Sequence, residues 1–261
     1  MNVHTVALSL VFGCVTGFVL GLMGGGGSII TVPVLVFVIG LRVHSATATS
    51  LVAVGASALL GTIAHIRRKD VEIKEGVSFG ALSMIATVPG VWVNRLVSGK
   101  IILLLFAAMM LAVAALMIAR TGGGEGGNRT HGPRRKAGKA GYWMRIAAAA
   151  SVVGFMTGFF GVGGGFLVVP ALMLTGRFTA HRAVGTSLPV ITLASLSGIV
   201  THLSLGDMNL GIAGLFAGGS AAGVVLGTEL GGRIDDRRMS RIFGVFITAV
   251  ALYVLYKSLF S

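Results

Sequence analysis

Charge is what this chain has least of. Asp, Glu, Lys and Arg together make up 11% of its 261 residues, where a soluble domain carries about 25%. Only 8 residues are acidic. A single cysteine, Cys14, excludes a disulfide within the chain. No Walker loop, no Ser-His-Asp arrangement and no His or Cys spacing suited to a metal occurs. Direct ATP hydrolysis and nucleophilic catalysis therefore lack the residues they need, and the expectation is a non-enzyme with no cofactor.

What is present is apolar. Hydrophobic residues make up 54% of the chain and the mean hydropathy is +0.92, too high for a soluble globule. Long apolar runs separated by short charged loops read as membrane helices, each needing roughly 20 residues to cross the hydrocarbon. The 41 glycines fit the same reading, because small residues let helix backbones approach closely in lipid. A net charge of +13 raises nucleic acid as a partner. The basic residues, however, lie in loops between apolar spans without interleaved aromatics, which is the positive-inside pattern. The N-terminus lacks a basic n-region, and its apolar run from Thr5 continues unbroken into the Gly17 segment, so it reads as part of the fold rather than as a signal.

The chain is written twice. Residues 17–51 align without a gap on 154–188 at an offset of 137, with 14 of 35 positions identical, among them Gly17, Gly21, Gly24, Pro33, His44, Thr49, Ser50 and Leu51. The offset persists at Gly61/Gly198, His65/His202, Asp70/Asp207 and Gly90/Gly227. Two copies of one unit make up the protein: residues 1–119, then a basic Gly-rich linker at 120–145, then residues 146–261.

Each copy carries five apolar runs, at about 5–23, 28–41, 46–66, 77–97 and 101–119, then at about 146–162, 166–176, 183–204, 209–231 and 242–260. The second run of each copy is short, either a tilted helix, a half-helix or one arm of a re-entrant hairpin. Charge arbitrates. Five crossings per copy put 17 Lys and Arg on one side and 4 on the other; four crossings give 12 against 9. The positive-inside rule favours five, so the two copies are expected to be inverted. The fold expectation is an all-α polytopic membrane protein with about ten membrane segments in two inverted five-segment repeats. Its linker would be cytoplasmic and both termini on the outer side. Asn128-Arg129-Thr130 matches the glycosylation pattern, but on the cytoplasmic side the match is chance.

The glycines mark the candidate site. Gly13, Gly17, Gly21 and Gly24, matched by Ala150, Gly154, Gly158 and Gly161, suit close helix packing. Gly24, Gly25, Gly26 and Gly27, and then Gly163, Gly164 and Gly165, require more, because consecutive glycines cost about 1 kcal/mol each relative to Ala in a helix. A break is expected at each, with a short new helix starting near Ser28 and Gly165. The unpaired N–H groups and positive dipole end of such a start can hold an anion without a charged side chain, as paired broken helices do in secondary transporters. A simple hinge is the other reading. Pro33 and Pro170 read as kink formers. His44 and His181 are either helix-start caps or site residues. Thr49, Ser50, Thr186 and Ser187 offer hydroxyls to an oxyanion or to their own helix backbone. His65 and His202 fall at span ends, where an interfacial role is expected, and Glu229 is expected to reach the interface.

These residues resemble the TauE/SafE family, often called sulfite exporters. The resemblance is carried by Gly17-x-x-x-Gly21-x-x-Gly24-x-Gly26-Gly27 with Pro33-x-Leu35, by His44 and Thr49-Ser50-Leu51, and by the second-copy run ending Gly185-Thr186-Ser187-Leu188. It covers nearly the whole chain outside 121–141. It implies an inner-membrane secondary transporter that exports small sulfur-containing oxyanions such as sulfite, thiosulfate or organosulfonates. The site would lie between the repeats, lined by Gly24, Gly25, Gly26, Gly27, Ser28, Gly161, Gly163, Gly164, Gly165, His44, His181, Thr49, Ser50, Thr186 and Ser187. The partners expected are a small anion and the lipid bilayer, with homo-oligomerisation allowed and nucleic acid not expected. An anion channel and a non-transporting membrane scaffold are the alternatives.

Overall fold

The computed structural model describes residues 3–67, 71–122, 139–162, 165–174, 178, 180–205, 208–231 and 236–260. Ten helices follow one another: α1 (Val3–Met23), α2 (Ser28–Phe37), α3 (Val43–Arg67), α4 (Ile73–Leu96), α5 (Gly99–Gly122), α6 (Lys139–Phe160), α7 (Gly165–Leu174), α8 (Ala180–Leu205), α9 (Leu210–Gly231) and α10 (Asp236–Phe260). A 3-10 turn, Gly24–Gly27, joins α1 to α2. No strand occurs among the described residues. Among the described residues, seven helices are long and apolar enough to cross a membrane: α1, α3, α4, α5, α6, α8 and α9. The short second runs of each copy become α2 and α7, ten residues each, or about 15 Å at 1.5 Å per residue, half of a roughly 30 Å hydrocarbon core. The expected linker is entered from both sides by helix, α5 to Gly122 and α6 from Lys139, and its middle lies outside the described residues.

Glycine decides which helices touch. Along α1, a Cβ on Gly13 would lie 2.5 Å from the Phe216 carbonyl oxygen of α9. One and two turns on, Gly17 and Gly21 press on the carbonyls of Ser220 and Val224, while Gly219, Gly223 and Gly227 press back on those of Leu10, Cys14 and Phe18. At the 137 offset the same lock joins α6 to α4: Gly154 sits on the Ser83 carbonyl, Gly158 on that of Thr87, and Gly90 on that of Phe155. In lipid, where no hydrophobic force drives helices together, such close backbone approach supplies the packing energy. Each half is therefore threaded through the other, its first helix lying on the fourth helix of the opposite half.

The register of these contacts gives helix directions. Positions 13, 17 and 21 meet 216, 220 and 224, so α1 and α9 run parallel. At the centre, Gly61 faces Leu188 at 3.2 Å, Gly55 faces Ser195 at 2.9 Å, and Gly198 faces Leu51 at 2.8 Å. The numbers rise on one helix as they fall on the other. Helices α3 and α8 are antiparallel, and each inserts a leucine, Leu51 or Leu188, over the other's glycine. Buried hydroxyls tie the layers together: Ser57 donates to Ser220 at 2.5 Å, and Ser83 to the Ala150 carbonyl at 3.1 Å. Around the breaks, Phe106, Phe160 and Phe166 cluster with ring centroids 5.4 and 6.0 Å apart. Large apolar side chains such as Val11, Ile85, Val200 and Leu226 point outward, as a lipid-facing surface requires.

Candidate functional site

Helix α1 ends at Met23, and the next residue, Gly24, has φ +63°, a region only glycine enters without strain. Helix α6 ends at Phe160, and Gly161 has φ +68°. These two turning points are equivalent at the 137 offset. Gly25 follows Gly24 and packs directly on the peptide of Gly165, where α7 begins; a Cβ on Gly165 would strike the Gly25 Cα and lie 3.0 Å from Ile191 Cγ1. The two breaks meet in the core. Gly26 lies in the same 3-10 turn, and Gly27 packs on the backbone of Thr16 and Leu20. No side chain caps the start of α2 at Gly27. The Ser28 hydroxyl donates to the Gly25 carbonyl at 2.6 Å and so holds the turn from within. Gly163, Gly164 and the side chain of His181 lie outside the described residues.

Each break is backed by the opposite half. Ser50 on α3 donates to the Gly161 carbonyl and to the Thr47 carbonyl at 2.8 Å, and Thr47 lies against Gly161. The equivalent residues on α8 meet the first break: a Cβ on Gly24 would sit 3.0 Å from both Ser187 Oγ and Val184 Cγ1. Ser187 itself donates to the Val184 carbonyl at 2.7 Å. The threonines do something else. Thr186 accepts the Glu72 N–H at 3.1 Å and Thr49 accepts the Asn209 N–H at 3.4 Å, again equivalent contacts, each tying the segment ahead of α4 or α9 to the opposite half. All four hydroxyl residues have 0% exposure, and among the described residues of the breaks Gly24, Gly25, Gly27, Gly161 and Gly165 are buried as well.

His44 is half-buried, and its Nδ1 lies 3.0 Å from Asn94 Oδ1. The Asn94 amide nitrogen donates to the Phe159 carbonyl at 2.6 Å. With the amide N–H so used, Oδ1 is the acceptor, and His44 Nδ1 carries the proton. Asn94 thus couples the start of α3 to the last turn of α6, two residues before Gly161. Sequence reading missed it, because its counterpart at the 137 offset is Gly231. There the glycine packs straight onto the carbonyl of Leu22, the equivalent of Phe159, at 3.0 Å from a would-be Cβ.

His65 and His202 lie in the last turns of α3 and α8, at the span ends, and are 6% and 0% exposed. They are also the only titratable side chains buried among the described residues. Glu229 is exposed. The Arg182–Glu72 ion pair, at 3.0 Å, is exposed on both sides. No group of three metal-ligating side chains occurs among the described residues. As far as the described residues go, the site is a neutral, glycine-walled junction of two broken helices, which can offer backbone dipoles but no fixed charge.

The family model of the sulfite exporter TauE/SafE matches residues 9–254. This chain belongs to the TauE/SafE family. A probable membrane transporter protein of Xylella fastidiosa is 33% identical over 263 residues, covering 99% of this chain and 98% of its own length. The probable membrane transporter protein YunE of Bacillus subtilis is 29% identical, with 97% and 98% covered. A probable membrane transporter protein of Methanocaldococcus jannaschii is 22% identical, with 92% and 93% covered. No solved structure matches the chain. With seven helices fit to cross the bilayer, this TauE/SafE protein is a multi-pass membrane transporter.

Proposed function

We propose that the protein is a secondary transporter of small sulfur-containing oxyanions, such as sulfite, thiosulfate or organosulfonates, that exports them across the inner membrane by alternating access. The observation that carries this reading is the meeting of the two breaks, Gly25 on Gly165, with each break backed by the Thr-Ser helix of the opposite half. Two helix starts converging on one uncharged junction concentrate N–H dipoles where an oxyanion loses its water. The family's description as sulfite exporters supports sulfur oxyanions as the substrate class. The site would be lined by Gly24–Ser28, Gly161, Gly163–Gly165, Ser50 and Ser187, with Thr49, Thr186, His44 and His181 around it.

The antiparallel run of the equivalent helices α3 and α8 supports two inverted repeats of five segments. If α2 and α7 did not carry the chain across, those helices would run parallel. The 17-to-4 partition of basic residues supports a cytoplasmic linker and outward termini. Alternating access then consists of one half rocking on the other about the α3–α8 crossing. An anion channel built on the same junction is the second reading, favoured by the lack of a buried Arg, Lys, Asp or Glu among the described residues. Reconstitution separates them. Labelled sulfite, thiosulfate and a sulfonate are offered to proteoliposomes preloaded with the unlabelled anion. A carrier accelerates entry by counterflow, a channel does not, and a scaffold moves nothing.

A further inference from the structure

Helix α2 leaves the first break and runs beside α10, and the two leave a gap. It is an apolar groove of about 250 Å³, walled by Ile30, Pro33 and Val34 of α2 and by Phe246, Val250 and Tyr253 of α10. At one end the Phe37 and Tyr253 rings meet edge to face, with centroids 6.0 Å apart. Tyr253 carries the only polar group among the lining side chains, so an oxyanion would find nothing there to replace its water. An apolar hollow of this kind does not hold water either. Its flanks on α10, Val245 and Leu252, are exposed, so the groove opens on the face that meets lipid.

A charge stands at the same end as the Phe37–Tyr253 pair. Phe246, Val250, Tyr253 and Lys257 follow one another at intervals of four, three and four residues, which is one stripe along α10. Lys257 is therefore the next residue on the groove's own face, one turn beyond Tyr253, and it is half-buried. From Phe246 to Lys257 the helix rises about 16 Å at 1.5 Å per residue, close to one leaflet of a roughly 30 Å hydrocarbon core. With Lys257 at the membrane surface, the foot of the groove lies near mid-membrane. Apolar walls, then a tyrosine, then a cation follow the order in which a leaflet passes from acyl chain to head group. In the orientation proposed above, Lys257 is one of the four basic residues on the outer side, where the positive-inside rule gives no reason for it.

We propose that this groove binds one glycerophospholipid, with an acyl chain laid between α2 and α10 and its phosphate at Lys257. The proposal needs the membrane but not the transport reading. The acyl chain stands in for a protein neighbour of α2, a ten-residue helix with Pro33 at its middle. Because α2 starts at the first break, the lipid steadies that break from outside the helix bundle. An anionic head group is preferred to a zwitterionic one, since the Lys257 ammonium attracts net negative charge.

The test uses the purified full chain in nanodiscs of phosphatidylcholine with a minor share of phosphatidylglycerol whose acyl chain carries a photoactivatable diazirine. Labelling should concentrate on residues 30–38 and 246–253, several-fold above other lipid-facing sites such as Ile85 and Leu226. Ala249 lines the groove, and Ala249→Trp should abolish that excess by filling it. Lys257→Gln should weaken retention of phosphatidylglycerol in native mass spectrometry about fivefold, the worth of one basic residue at an anionic surface, and leave that of phosphatidylcholine unchanged. Should the tryptophan variant not fold, the lysine variant decides. Equal labelling of the groove and of the Ile85 and Leu226 surfaces overturns the proposal, as does full phosphatidylglycerol retention in Lys257→Gln. Cross-links from the groove into a second copy, with no lipid label there, overturn it in favour of a protein partner.

Discussion

Replacing Asn94 by leucine is the sharpest probe of how the second break is held. The side chain is fully buried and makes two hydrogen bonds, to His44 at 3.0 Å and to the Phe159 carbonyl at 2.6 Å. Each is worth about 1 kcal/mol net, and a carbonyl stranded in the core costs roughly 1–3 kcal/mol more. The sum for Asn94→Leu is about 3–5 kcal/mol. At about 2–4 °C per kcal/mol for a chain of this size, the apparent Tm in detergent should fall by about 6–20 °C. His44→Ala removes one of the same bonds, so the two substitutions should couple by about 1 kcal/mol in a double-mutant cycle. Asn94→Asp keeps the acceptor for His44 and loses the donor to Phe159, and should fall between wild type and leucine. A Tm change under about 2 °C for Asn94→Leu, with no coupling to His44, would refute the inferred bridge.

The glycine lock makes a contrasting pair. Gly223→Ala drives a Cβ into the Cys14 carbonyl and should cost at least the 1–3 kcal/mol of an overpacked core, read as lost monodisperse yield. Gly218→Ala, on the same helix with nothing within 4 Å of its Cβ, should be neutral or stabilising by up to about 1 kcal/mol. Gly161→Ala should be worse than Gly24→Ala in thermal unfolding. Both have positive φ, but Gly161 sits against the Thr47 backbone, whereas two of the three atoms around Gly24 are side-chain tips. Arg182→Ala breaks only an exposed ion pair and should change stability by less than about 1 kcal/mol. A cysteine placed at Gly124, in a Cys14→Ser background, should react with an impermeant thiol reagent from the cytoplasmic side alone.

The repeat made much of this architecture legible. With Gly17 equivalent to Gly154, the glycine contacts of one half have an address in the other; the first turning point, Gly24, opens a glycine run that argues against helix, while the second, Gly161, read as a packing glycine, lies two residues ahead of the run Gly163–Gly165. Hydropathy, however, describes composition along the chain and is blind to what lies beside it. It could not show that the first helix of one copy locks onto the fourth of the other. For the same reason the burial of His65 and His202 by neighbouring helices was not legible, although their place at the span ends was. Thr49, Ser50, Thr186 and Ser187 read alike as ligands or as bonded to their own helix backbone; the serines do donate to their own helix, whereas the threonine oxygens accept backbone N–H groups from the opposite half. Asn94 was invisible to a comparison of copies, because an amide in one half does by hydrogen bonding what Gly231 does by close packing in the other.

The central claim is that an oxyanion sits where the two breaks meet. Selenite, a heavier analogue of sulfite, allows its position to be measured by anomalous diffraction from crystals of the protein. One strong selenium peak is expected between Gly24–Ser28 and Gly161–Gly165, within hydrogen-bond distance of backbone N–H groups and lost when Gly25 is replaced by alanine. A selenium peak elsewhere, with the junction of the breaks empty, would contradict it.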